Sequence, residues 1–347
     1  MNSPFRLLTL GLMISAWLSA ADPAPAVIHT SPDATGKSNS FDKAFVTHES
    51  VDGIEFTIDD PRNASKLTLK YGTYTVEYGD PVSIDFMKAK VLEEAGQYDK
   101  ALEGYQRAGV GAKLEWVKEQ SQLHGAQLAI QLKNHDEALA LVTALEKDNA
   151  RSVRLAKALL VRGRALIAKG DAANAAKTFS TLSSMAKDWG PDAATYGALG
   201  QADLLTADKK FAEAADVLGK VLTRIDAVKQ HDDMGGLALA LATAQRSAGK
   251  PADALATIQL YIWKDLEPTQ QANLHVLWGT ILAQKGDTAS LTAAFDQAAL
   301  AACLKGAESA AFSAAKALAG AVQDKLAKDP AVSAADKADF KRMLALL

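Results

Sequence analysis

From residue 82 onward, apolar residues recur at the 3.6-residue spacing of amphipathic helices, and that pattern itself repeats along the chain. Turn positions fall at Gly96, Lys133, Gly170, Lys209, Gly249 and Gly286, spaced 37 to 40 residues apart. Two further positions keep the same register. A small residue recurs in the first helix of each unit (Ala89, Ala126, Gly163, Ala202, Ala242, Gly279), and a large one in the second (Tyr105, Val142, Phe179, Leu218, Ile258, Phe295). Small residues let two helices approach, and large ones fill the space between one hairpin and the next. A lone hairpin cannot bury its apolar face, so such a repeat commits the chain to stacked units. The expected fold class is mainly α: an α-solenoid of about six helical hairpins behind a small β-rich N-terminal segment.

The first unit carries the fullest signature: Ala89 in mid-helix, Gly96 at the turn, aromatic Tyr98, then Ala101, Tyr105 and Ala108 along the second helix. It resembles a tetratricopeptide repeat (TPR). The spacing exceeds the family's period of ~34 residues by about one helical turn, so helices or loops must be longer than standard. Most units also lack the family's proline after the second helix.

The resemblance implies a concave groove, lined by first-helix side chains, that takes up a peptide or another protein's helix. By position relative to each turn, the groove candidates are Phe86 and Lys90 in the first unit and His124, Gln127 and Gln131 in the second. Lys157 and Arg164 follow in the third, Tyr196 and Asp203 in the fourth, and Thr243 in the fifth. The set is mainly polar and mildly basic. The carboxylate clamp of chaperone-binding TPR domains is not recognisable: Phe86 stands where its first lysine would be, and only Lys157 fits. The implied function is a non-catalytic protein–protein interaction scaffold or adaptor, with another protein or peptide as partner.

The N-terminus reads as an export signal. Residues 1–6 carry one positive charge, and Leu7 to Leu18 is an apolar run whose helical length of roughly 18 Å falls short of the ~30 Å hydrocarbon core. Ser19-Ala20-Ala21 then suits signal-peptidase cleavage. Residues 1–21 are thus expected to be a signal peptide, the protein exported (periplasmic or secreted, bacterial), and the mature chain without stable membrane insertion. Residues 22–40, rich in Pro, Ser, Thr, Asp and Gly, read as a flexible tether. Alternation at 44–47, 54–58, 66–71 and 73–78 predicts three or four short strands within 41–81, packed on the helices as a cap. Residues 82–302 hold the repeats, and 303–347 capping helices, the last one starting after Ser333.

Signals for chemistry are weak. With 38 Lys+Arg against 41 Asp+Glu the formal charge is −3, which argues against nucleic acid as a partner. One cysteine, Cys303, can form neither an internal disulfide nor a multi-thiolate zinc site, and reads as a buried structural thiol. The six histidines show no ligand spacing. His231-Asp232-Asp233 reads as a loop and helix start. Gly109-Val110-Gly111, placed between helices, lacks the glycine and lysine of a phosphate cradle. Ser184–Lys187 and Ser313–Lys316 satisfy S-x-x-K without its companion motifs. Asn63-Ala64-Ser65 fits the glycosylation tripeptide, and Trp116, Trp189, Trp263 and Trp278 are expected to pack between hairpins. No catalytic residue, cofactor or metal is therefore expected. Two alternatives stay open: an envelope enzyme with polar groups around Lys90, Glu93 and Tyr78, and a cell-wall or carbohydrate binder using Tyr71, Tyr74 and Tyr78.

Overall fold

In a computed structural model the chain is described at residues 22–32, 36–62, 65–79, 83–226, 234–264, 266–304 and 310–347. The signal-peptide segment, Asn63-Ala64 of the glycosylation tripeptide and His231-Asp232-Asp233 lie outside these residues.

All six turn positions have left-handed backbone, with φ of 69° at Gly96, 62° at Lys133, 80° at Gly170, 61° at Lys209, 77° at Gly249 and 81° at Gly286. At the first five, the next residue donates its N–H to the carbonyl five positions earlier (Gln97 to Leu92, Asn134 to Ala129, Asp171 to Leu166, Lys210 to Leu205, Lys250 to Gln245). That bond closes the first helix and reverses the chain within three residues.

Six hairpins result: α1 (Ile84–Glu94) with α2 (Tyr98–Gly111), α3 (Glu115–Gln131) with α4 (His135–Asp148), and α5 (Leu155–Ala168) with α6 (Ala172–Trp189). They continue as α7 (Pro191–Ala207) with α8 (Phe211–Asp226), α9 (Met234–Ser247) with α10 (Pro251–Tyr261), and α11 (Pro268–Lys285) with α12 (Thr288–Cys303). Then α13 (Ala310–Lys328) packs on both α11 and α12, extending the array, and α14 (Ala334–Leu346) packs on α13 with Phe340 against the Phe295 ring at 5.1 Å. Helices of up to 18 residues account for the long repeat.

The register positions form the core. Ala89, Ala126 and Ala242 are fully buried, as are Tyr105, Val142, Leu218, Ile258 and Phe295. First helices pack on one another in sequence, α3 on α5, α5 on α7, α7 on α9 and α9 on α11, and so make the inner layer. Glycine sets the approach of α5 and α7. A Cβ added at Gly163 would lie 2.1 Å from the Phe179 ring, and one at Gly200 2.0 Å from it, so this ring fills a slot that a methyl group would close.

The N-terminal segment is an antiparallel sheet of five strands, β1 (Ala24–Thr30), β2 (Ser40–Ser50), β3 (Gly53–Ile58), β4 (Leu67–Leu69) and β5 (Tyr74–Tyr78), in the order β4-β3-β2-β1-β5. The expected tether at 22–40 is corrected by β1, which pairs with both β2 and β5. Ala24, Ala26 and Ile28 point into the core, while Pro25 is exposed and accepts from Gly79 N–H at 2.8 Å just past the last β1–β5 pair.

The sheet packs against the helices from the side. It lies along the edge where each second helix connects to the next first helix. Asp22 N–H donates to the Lys113 carbonyl and Val51 N–H to the Arg151 carbonyl, both at 3.0 Å. Tyr71 hydroxyl donates to Asp192 at the start of α7, also at 3.0 Å. The sheet therefore spans the starts of α3, α5 and α7, leaving Ile84, Met87 and Val91 of α1 exposed.

Three smaller expectations are corrected as well. Gly109-Val110-Gly111 is helical, as the end of α2. Cys303 is exposed. Trp263 is 76% exposed, whereas Trp189 is buried and Trp116 and Trp278 make ring contacts. Among the described residues no helix is long and apolar enough to cross a membrane.

Candidate functional site: a concave groove beside a sealed junction

Because α3, α5, α7 and α9 are neighbours, residues spaced three and four apart on each align into a common face. Their inner faces enclose a cavity of about 680 Å³. On α3 it is lined by Gln127, Ile130 and Gln131, on α5 by Lys157, Leu160, Val161 and Arg164, on α7 by Tyr196, Leu199, Ala202, Asp203 and Thr206, and on α9 by Leu239, Ala240, Thr243 and Ser247. The floor is aliphatic, and the rim carries amides, hydroxyls and the charged groups of Glu93, Lys157, Arg164 and Asp203.

Seven of the sequence candidates thus meet in one cavity: Gln127, Gln131, Lys157, Arg164, Tyr196, Asp203 and Thr243. The other three do not line it. Phe86 is buried, its ring 5.5 Å from Tyr105 and 5.7 Å from Trp116, so it holds α1 to α2 and α3 rather than facing a partner. Lys90 is exposed on α1, and Glu93, one turn on, reaches the cavity instead. His124 stacks on Tyr105 at 5.2 Å, with its Nδ1 3.2 Å from Glu93. The aliphatic floor was not singled out from sequence, although its spacing from Lys157 and Tyr196 places it on the same helix faces.

The ionisable lining is matched within the protein. Arg164 Nε donates to Asp203 at 2.7 Å, and Glu93 accepts from Tyr105 hydroxyl at 2.6 Å as well as facing His124. Burial opposes ionisation of Glu93, but the bonds from His124 and Tyr105 outweigh it and hold the carboxyl below its ordinary value. Lys157 is likewise engaged with protein groups.

A second polar cluster joins the sheet to the solenoid. Arg154, ahead of α5, has a side chain only 10% exposed and lies 2.8 Å from Glu119 of α3 and 3.5 Å from Glu49 of β2. Tyr78 hydroxyl donates to Glu49 at 2.8 Å and Tyr74 hydroxyl at 3.3 Å, while the Tyr78 ring stacks on Trp116 at 4.9 Å. Asn149 donates to both Glu119 and Glu115, and His48 faces Glu115 at 3.3 Å. Burial pushes the Glu119 carboxyl up despite Arg154. Burial also penalises the Arg154 cation, but Glu49 and Glu119 outweigh this and push its value up. The hydrogen bond to Glu115 raises His48. The enclosed space here is about 10 Å³, room for roughly one water.

The residues of both alternatives can be placed. Tyr74 and Tyr78 share a face, as their spacing implied, but that face is turned inward onto Glu49. Tyr71 is tied to Asp192. Of the enzyme cluster, Tyr78 belongs to the junction and Glu93 to the groove wall. The S-x-x-K serines lie on exposed helix faces, and Ser184 hydroxyl donates to the Thr181 carbonyl at 2.7 Å. Glu119 was missed in sequence, though counting back seven residues from Ala126 places it on the buried face of α3. Nothing local marks Arg154 or Glu49.

No family model matches the chain, and no curated protein matches it in sequence. Solved structures do share similarity. A tetratricopeptide repeat protein from Parabacteroides merdae aligns over 67% of this chain and 82% of its own, with 20% identity and a TM-score of 0.45. The apo form of RapI aligns over 76% of this chain and 73% of its own, with 14% identity and a TM-score of 0.44. The TPR2AB domain of yeast Sti1, from a complex with pHSP90, aligns over 75% of this chain and 97% of its own, with 12% identity and a TM-score of 0.26.

Proposed function

We propose that this protein is a non-catalytic interaction scaffold whose concave groove holds a segment of a partner protein, and that it works as an exported bacterial adaptor. The observation that carries the binding role is the continuity of the groove: four consecutive hairpins contribute helix faces at matching positions to one open cavity. A substrate pocket for chemistry would instead gather ionisable groups with free valences around one point. Here Arg164 pairs with Asp203, and Glu93 with His124 and Tyr105. Export rests on the pattern of residues 1–21.

Photo-crosslinkers placed at Gln131, Tyr196 and Thr243, and for contrast at Lys177 and Lys220 on second helices, test the binding role in cells. One recurrent protein captured from the groove positions and absent from the second-helix positions is the expected result. Equal capture from both sets, or no recurrent capture from the groove positions, would overturn it. Fractionation of the tagged full chain tests export.

A further inference from the structure

The groove's charges say what kind of segment fits it. Resting on the scaffold reading above, we infer that the occupant is an amphipathic helix with an aliphatic stripe and uncharged polar flanks. The cavity has four charged lining residues, two acidic and two basic, and every one is already engaged: Glu93 with His124 and Tyr105, Arg164 with Asp203, and Lys157 in an interaction of its own. A charged ligand would have to displace these partners or forgo an ion pair, and the net-zero lining offers little long-range attraction to either sign.

The floor selects the backbone form. Ile130, Leu239 and Ala240, the partly exposed aliphatic lining above the buried Leu160, Val161 and Leu199, present no hydrogen-bonding side chain, so an extended segment lying on them would leave its peptide groups unpaired. A helix satisfies those groups internally and can lay an apolar face on the floor while its flanks meet the rim amides and hydroxyls. With first helices about 8–10 Å apart, the groove from α3 to α9 spans roughly 25–30 Å, the length of about 18 helical residues.

The test uses the full chain and three fluorescein-labelled helical peptides of about 18 residues. Each carries leucine at i, i+3, i+4 and i+7 repeats, with flanks of glutamine and serine, glutamate, or lysine. Fluorescence anisotropy is expected to show the neutral peptide binding about tenfold or more tightly than either charged one, with affinity changing less than about twofold between roughly 50 and 500 mM salt. Lys177→Ala, on the second helix α6, should leave neutral-peptide binding unchanged, and Thr243→Trp, at an exposed groove position, should weaken it about tenfold or more at an unaltered melting temperature. Tighter, salt-dependent binding of the glutamate or lysine peptide that Thr243→Trp still blocks would overturn the neutral-helix inference and leave the groove as the site. Binding indifferent to Thr243→Trp, or no binding of any of the three at about 1 mM, would overturn the groove itself.

Discussion

The solenoid has two long edges, and they are built on different principles. One carries the turns inside hairpins, where six left-handed residues recur and five show the same closing hydrogen bond. The other carries the connections between hairpins and supports the sheet, where Arg154, Glu49, Glu119, Tyr78 and Asn149 form a buried network with no repeat counterpart. The turn edge is local chemistry repeated. The loop edge depends on groups distant in sequence, Arg154 and Glu49 being 105 positions apart. Regularity on one side makes the groove, and the irregular side attaches a second element without covering it.

The largest expected effect breaks the loop edge. Arg154→Met removes the cation between two buried carboxylates and should destabilise the protein by about 3–5 kcal/mol, measured by urea denaturation. Adding Glu49→Gln and Glu119→Gln should restore most of that loss, because no uncompensated buried charge then remains. A cost of Arg154→Met below about 1 kcal/mol would make the junction no different from a surface ion pair.

Next in size is the contact that sets the inner layer. Gly200→Ala puts a methyl group against the Phe179 ring and should cost about 1–3 kcal/mol. Phe179→Leu in the same chain should lower that penalty, and simple additivity of the two changes would show that the ring does not define the slot.

How much of this was legible follows the same division. The turns, the small and large register positions and strands β2, β3, β4 and β5 rest on periodicity, which sequence displays directly. Strand β1 was missed because Pro25, with Ser31 and Pro32 just beyond, outweighed the alternation of Ala24, Ala26 and Ile28. The sheet's position was missed because it is fixed by Asp22, Glu49, Val51 and Tyr71 reaching loops far along the chain, and no spacing encodes that. Within the groove, polar candidates could be carried over unit by unit, whereas Phe86 could not be told from a surface aromatic until Tyr105 and Trp116 enclosed it.

The turn edge can be sharpened by a small gain. Lys133 and Lys209 are the two turn positions without glycine, and both sit at φ near 60°. Each change to glycine relieves left-handed strain but enlarges the unfolded chain's freedom, leaving a net stabilisation of roughly 0.5–1 kcal/mol. Glycine at Gly96 sets the opposite control: Gly96→Lys should lose a similar amount although open space surrounds it, because the strain lies in the backbone. Thermal melts of the three single variants read both signs.

The smallest effect separates the edges by pH. His48 has its folded value raised above 6.5 by the hydrogen bond to Glu115, so its contribution is fully present below about 6.5 and is lost as pH rises through the folded value. Glu119, raised above 4.5 by burial, acts with the same sign in a lower window. With the His48 side chain half exposed, solvent screening keeps its share small. Melting temperature should therefore decline slightly between roughly pH 6 and 8, and His48→Gln should flatten that decline while leaving the Glu119 window in place. A decline that survives His48→Gln would assign the titration elsewhere and leave the His48 contact to Glu115 without a role in docking the sheet.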